Sequence, residues 1–96
     1  MLYEWDLKKA AANLQKHKVS FLEATTVFLD PLAMTFDDPD HSAAERRFIT
    51  IGWSQAGRLL LVAHADRRDR IRLVSARRAT RRETHDYEEG TFDAPG

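Results

Sequence analysis

Residues 67–83 read RRDRIRLVSARRATRRE, and the fold is decided there. Eight arginines (Arg67, Arg68, Arg70, Arg72, Arg77, Arg78, Arg81 and Arg82) stand against two carboxylates, Asp69 and Glu83. The segment 71–76 is β-branched and aliphatic, as a strand requires. Plain alternation sends Ile71, Leu73 and Ser75 to one face and Arg70, Arg72, Val74 and Ala76 to the other. Thr80-Arg81-Arg82-Glu83 then has the T-x-x-E form of a capping box, so a helix starts at Thr80. A basic strand running into a basic helix gathers guanidinium forks and free backbone N–H groups, both of which grip phosphate. No lysine occurs in residues 46–96. Lysine would serve solubility equally well, so arginine alone favours planar bidentate contacts over bare charge. The plainer alternative is a solvated arginine-rich face with weak ion pairs.

Upstream, residues 58–65 contain Leu59-Leu60-Leu61-Val62, a run suited to a central strand buried on both faces, and 66–69 form a turn. Residues 46–53 alternate, with Arg47, Ile49, Ile51 and Trp53 on one face and Phe48 and Thr50 on the other. Ser54-Gln55-Ala56-Gly57 closes that hairpin. Residues 32–36 read as a strand and 37–42 as an acidic loop. Asp6 caps a helix over 7–17, in which Leu7, Ala10, Ala11 and Leu14 fall at helical spacing. Ser20-Phe21-Leu22-Glu23 is a second capping box. It opens a helix with Phe21, Ala24, Val27 and Phe28 on one side, ended by Asp30-Pro31. Residues 1–5 allow a short edge strand. These elements predict an α+β domain over 1–90: a short N-terminal strand, a helical hairpin, an antiparallel meander of three or four strands and a C-terminal helix. Residues 91–96 are expected to form a loose or partner-dependent tail.

A chain of 96 residues holds one domain, since about 100 residues is a common domain size. Its zero net charge hides an asymmetry. Residues 1–45 carry four lysines against eight acids, and residues 46–90 carry eleven arginines against six acids. Such polarity suggests partners of opposite character. The absence of cysteine excludes disulfides, zinc fingers and thiol catalysis. With no membrane-length apolar run and no signal-like N-terminus, a cytoplasmic protein is expected.

The residues also carry a family resemblance. It begins at Glu4-Trp5-Asp6 with Lys9, Asn13 and Lys16-His17, then Val19-Ser20-Phe21-Leu22-Glu23-Ala24 and Val27-Phe28 before Asp30-Pro31. It resumes at Asp40-His41-Ser42, Glu45-Arg46-Arg47, Ile51-Gly52 and Gly57-Arg58-Leu59-Leu60. It ends with Ile71-Arg72-Leu73-Val74-Ser75-Ala76-Arg77-Arg78-Ala79-Thr80 and Arg81-Arg82-Glu83 to Tyr87-Glu88. Over nearly all of residues 2–89 the chain resembles the BrnT family of type II toxins. The resemblance implies a RelE-like fold and a small ribonuclease that blocks translation. It also implies neutralisation by a BrnA-like antitoxin with a ribbon-helix-helix DNA-binding domain, so DNA is reached only through that partner in a hetero-oligomer. One departure is Lys18, where the family commonly has glycine; a left-handed geometry there costs about 1 kcal/mol.

RNA cleavage without cysteine or a metal cluster has to use the ribose 2′-OH as nucleophile, with a base, an acid and positive charge on the developing dianion. Fixed arginines supply that charge. Arg77 and Arg81 are the first candidates, because a strand end and the first turn of the next helix can aim at one point, and Arg82 follows. Arg72 and Arg78 are expected to hold flanking phosphates. His17, next to Lys16, is a candidate acid or base, or else a cation at a helix C-terminus. Glu83 is a candidate base unless its capping role occupies it. Tyr87 is a stacking platform, a proton donor or a core residue. His85 lies one turn from Arg81, and His64 is expected to be satisfied in the interior. Asp37, Asp38, Asp40 and His41 could suggest a metal site, but a hydrophilic turn explains them better. Trp5 and Trp53 could stack bases, although Trp53 reads as core or interface. No cofactor and no metal are expected. The contrasting reading is a non-catalytic module binding RNA or protein through the same arginines.

Overall fold

The computed structural model describes residues 2–38 and 45–93. The chain runs β1 (Leu2–Glu4), α1 (Leu7–His17), α2 (Phe21–Thr25), a 3-10 turn (Thr26–Leu29), β2 (Met34–Asp37), β3 (Phe48–Trp53), β4 (Leu59–Arg67), β5 (Arg70–Arg78) and α3 (Arg81–Glu89). The strands form one sheet in the order β1-β5-β4-β3-β2. Strands β2 to β5 are the expected antiparallel meander. The short N-terminal strand expected at an edge is there, but it joins parallel to β5, so the sheet is mixed and five-stranded rather than an antiparallel meander alone.

Helix α1 starts where Asp6 accepts the N–H groups of Lys8 and Lys9, at 2.8 and 3.1 Å. It stops at Lys18, which adopts φ 60°, ψ 31° and donates its N–H to the Leu14 carbonyl. Its inward side is not the expected leucine stripe, since Leu7 and Leu14 are 80% and 50% exposed. Buried Asn13 holds the helix instead. Its amide donates to the carbonyls of Val19 (2.9 Å) and Ala76 (2.8 Å) and accepts the Ala76 N–H (3.0 Å). Strand β1 pairs with β5 only at Arg70, Ile71 and Arg72, so beyond Arg72 the Asn13 side chain takes a neighbouring strand's place.

The second capping box is half made. Ser20 Oγ accepts the Glu23 N–H, but the Glu23 carboxylate turns to Arg58 and to Ser54 Oγ, pinning α2 to the β3–β4 hairpin. The single helix expected up to Asp30 tightens into the 3-10 turn. There Thr25 and Thr26 donate their hydroxyls back to the Leu22 and Glu23 carbonyls, a local competition with regular helix bonding.

One core cluster lies under α1 and α2: Val19, Phe21, Ala24, Val27, Leu60, Val62, Ile71, Leu73 and Ala76. The other lies on the opposite sheet face and joins Ile49, Ile51, Leu59 and Leu61 to Phe92, with Tyr87 packed against it. Phe92, within the stretch expected to be a loose or partner-dependent tail, is 8% exposed, and residues 94–96 lie outside the described residues. Trp53, expected in core or interface, is 41% exposed at the end of β3.

The face pattern of β5 differs from plain alternation. Leu73 pairs with His64 and Ser75 with Ala63, so Val74 is the extra residue of a β-bulge. Past the bulge the phase flips. Ala76 joins Ile71 and Leu73 beneath the helices, while Ser75 and Arg77 share the other face with Arg70 and Arg72.

Candidate nucleic-acid interface

The bulge decides which arginines can act together. By register Arg72, Ser75 and Arg77 belong to the sheet face opposite the core cluster beneath the helices, and Ser75 also reaches the β5 edge beside α1. Arg78 pairs with Leu60 and belongs to the helix side, so Arg72 and Arg78 do not flank one site.

At its C-terminal end β5 is joined to α3 through an ion pair. Arg77 donates from Nη1 and Nη2 to the two oxygens of Glu83, at 2.8 and 2.9 Å, and from Nη1 to the Arg78 carbonyl at 3.3 Å. Glu83 also completes the capping box: it accepts the Thr80 N–H at 2.8 Å while its own N–H goes to Thr80 Oγ1. The Arg77 hydrogen bond, reinforced by Thr80, holds Glu83 at a pKa of about 2 against the burial that opposes it. Both Glu83 oxygens are engaged, by the Arg77 fork and the Thr80 N–H, and the carboxylate supports Arg77. The same contact raises Arg77 further above its ordinary value.

Arg81 and Arg82 are not gathered at that point. The inner side of α3 carries Glu83, Thr84, Asp86 and Tyr87, which leaves Arg81, Arg82 and His85 exposed. The Arg82 side chain is 91% exposed and comes no nearer a carboxylate than 3.9 Å, at Asp86. Tyr87 is a strut: its hydroxyl donates to the Leu32 carbonyl at 3.0 Å and its ring packs on the second core cluster. Burial, then the Asp30 charge, raises its pKa, which weakens it as a proton donor.

Lys16 and His17 sit along the outer edge of β5. With Lys9, Ala12, Asn13, Val74 and Ser75 they line a groove of about 220 Å³. Thus two of the sequence candidates meet β5 at Ser75, two residues before Arg77. Asn13 sets that approach through its bonds to Ala76.

Three guanidiniums gather at the other end of β5, where the sequence reading assigns a phosphate-holding role to Arg72 alone. Arg72 donates to Glu4 at 3.1 Å; Arg67 and Arg70 lie 3.8 and 3.9 Å from the same carboxylate. Arg67 also donates from Nε and Nη2 to Glu45, at 2.8 and 2.7 Å. Glu4 and Glu45 appeared in the sequence only as members of the family pattern. The available signal was an acid in a three-residue strand beside an arginine-rich one.

A hydrogen-bonded chain runs from exposed Thr35 through buried Thr50 and His64 to exposed Asp66, with links of 2.7, 2.8 and 3.0 Å. His64 is 2% exposed, edge-on to Phe28 and stacked on Phe48, as an interior histidine should be. Trp5 meets Phe21 edge-to-face and packs on the first core cluster. Asp37 pairs with Arg46, while Asp40 and His41 lie outside the described residues. Among the described residues no group of three or more acids and histidines is placed to hold a metal ion, and no helix is long and apolar enough to cross a membrane.

The architecture is that of a small α+β domain with a mixed five-stranded sheet, one face of which carries arginines of β5. The family described as "Ribonuclease toxin, BrnT, of type II toxin-antitoxin system" matches residues 5–83, and the chain belongs to that family. In three dimensions it is similar to the Brucella abortus ribonuclease toxin BrnT, with a TM-score of 0.64 and 20% identity. That match covers 84% of this chain and 100% of the Brucella one. No curated protein matches the sequence.

Proposed function

We propose that the protein is a metal-independent endoribonuclease with a RelE-like fold, acting in the cytoplasm, which stops translation by cutting RNA. It is held inactive by a BrnA-like antitoxin whose ribbon-helix-helix domain supplies the only link to DNA. Family membership supports the ribonuclease class. The observation that carries the site is the Val74 bulge, which sets Arg77 on one face with Ser75 and Arg72.

In this reading a phosphodiester lies over β5 near Ser75. Arg77 stabilises the dianion that forms when the 2′-OH attacks. A guanidinium has five N–H donors. Three of Arg77's hydrogen bonds go to Glu83 and the Arg78 carbonyl, which leaves two N–H groups for phosphate oxygens. Fixing one edge of the fork beforehand removes reorganisation from the reaction itself. His17, in the groove that Ser75 shares, moves the proton, and Lys16 holds charge beside it. Arg72 binds a neighbouring phosphate. Arg81, Arg82 and Arg78 meet the RNA backbone outside the reacting group.

One observation favours the non-catalytic module instead: Arg77 already has a carboxylate partner. Purified protein freed of any partner, incubated with single-stranded RNA in EDTA at low salt, separates the two. Cleavage that falls about 100-fold in Arg77→Ala, as for loss of a fixed donor to a developing oxyanion, supports the enzyme. Tight binding that leaves RNA intact supports the module.

A further inference from the structure

Glu45 opens the described segment that leads into β3, and its carboxylate is gripped by Arg67. Two more guanidiniums act on it. The Arg67 hydrogen bond lowers the Glu45 pKa against an opposing burial effect, and the charges of Arg67, Arg47 and Arg72 lower it further. Arg47 lies one residue before β3, on the Ile49 side by alternation. Ile49 pairs with Ala63 and Arg72 with Ala65, so β4 passes between the two arginines and presents only small side chains.

Two features make this arrangement unlike a saturated surface network. Among the described residues Arg47 Nε is buried without a hydrogen-bond partner, a costly state for a charged donor. Guanidiniums also share carboxylates here: among the described residues Arg67, Arg70 and Arg72 converge on Glu4, and Arg67 and the charge of Arg47 act on Glu45. A carboxylate and a phosphodiester both offer a pair of anionic oxygens to a guanidinium fork.

We propose that Arg47, Arg67 and Arg72 form a second phosphate subsite, occupied in the free protein by the Glu45 carboxylate, which an entering nucleic-acid strand displaces. The displaced side chain swings into solvent, and the strand's phosphate takes up the Arg67 fork and the idle Arg47 Nε. That the strand is RNA rests on the ribonuclease reading; the subsite itself rests on the arginines alone.

The test uses the full chain and a fluorescent single-stranded 2′-deoxy oligonucleotide, which lacks the attacking hydroxyl and reports binding without cleavage. Glu45→Gln is expected to tighten binding about fivefold, the size of one screened charge pair. It should also steepen the log–log salt slope by about 0.7, one additional phosphate contact on a single strand. Adding Arg47→Gln to Glu45→Gln should remove both gains. A Glu45→Gln protein of unchanged melting temperature that binds no tighter overturns the subsite. So does an equal gain from Glu88→Gln, an exposed carboxylate on the outward side of α3, because net charge alone would then suffice. Failure of RNA cleavage in EDTA overturns the ribonuclease reading and leaves these binding outcomes intact.

Discussion

Arg77 and Glu83 form a two-pronged ion pair, at 2.8 and 2.9 Å, between the last residues of β5 and the first turn of α3. Because Glu83 also accepts the Thr80 N–H, one carboxylate both starts the helix and fixes the arginine. Its pKa is about 2 in the folded chain against an ordinary 4.5. A depressed carboxyl contributes stability that is complete above 4.5 and lost as the pH falls toward 2. Glu83→Gln is therefore expected to flatten the stability profile within that window and to cost about 2 kcal/mol at pH 7, from lost capping and a lost charged hydrogen bond. Urea unfolding across a pH series measures both.

His64 gives a second pH dependence. Burial lowers its pKa from 6.5, and the Asp66 contact only partly restores it. The neutral ring donates from Nδ1 to Asp66 and accepts the Thr50 hydroxyl at Nε2, a tautomer that uses both links. Below the ordinary value the unfolded chain takes up the proton more readily, so stability falls as the pH drops below 6.5. His64→Gln should lower stability at pH 8 by about 2 kcal/mol through the disturbed interior network and abolish the slope just below 6.5. Thermal melts at closely spaced pH values check it.

Much of this was legible from local chemistry. Asp6, Thr80 and the aliphatic run in β4 each announce their element within a few residues. Gly52 was visible as part of the family pattern, and packing explains it: a Cβ there would come within 2.8 Å of Ala33 Cβ and 3.0 Å of Val27 Cγ1. What escaped depends on partners far along the chain. The Val74 bulge follows from the register of β5 against β4, and no local residue marks it. The role of Asn13 depends on Ala76, and the Glu4 and Glu45 carboxylates depend on strand neighbours. Arg77, expected to converge with Arg81 and Arg82, is held by Glu83, because the helix turns its second and first residues outward while its third faces the strand.

Lys18 tests the local cost of a departure from the family pattern. It is the residue after α1, at φ 60°, where an L side chain is strained and glycine is not. Its ammonium recovers part of that cost by donating to the Gln15 carbonyl at 2.8 Å. Lys18→Gly is expected to stabilise the protein by about 0.5 kcal/mol, the glycine advantage less the lost contact. For a chain of this size that raises the melting temperature by about 3 °C. A lower melting temperature would mean that the lysine contact outweighs the backbone strain.

Asn13 is the position where stability and the candidate site are coupled most directly. Its amide satisfies the N–H and C=O of Ala76 and the C=O of Val19, all through one buried side chain. Asn13→Ala leaves those groups without that partner at a site where water has little access, so a loss of about 3 kcal/mol is expected. Asn13→Leu restores volume without restoring a single hydrogen bond, and should be no more stable than Asn13→Ala. Recovery in the leucine variant would show that packing, rather than amide pairing along the β5 edge, holds α1 in place. Because α1 carries Lys16 and His17 to Ser75, RNA cleavage should fall in both variants even at temperatures where the chain stays folded. Cleavage measured well below each variant's melting temperature, beside circular dichroism on the same sample, separates loss of positioning from loss of fold.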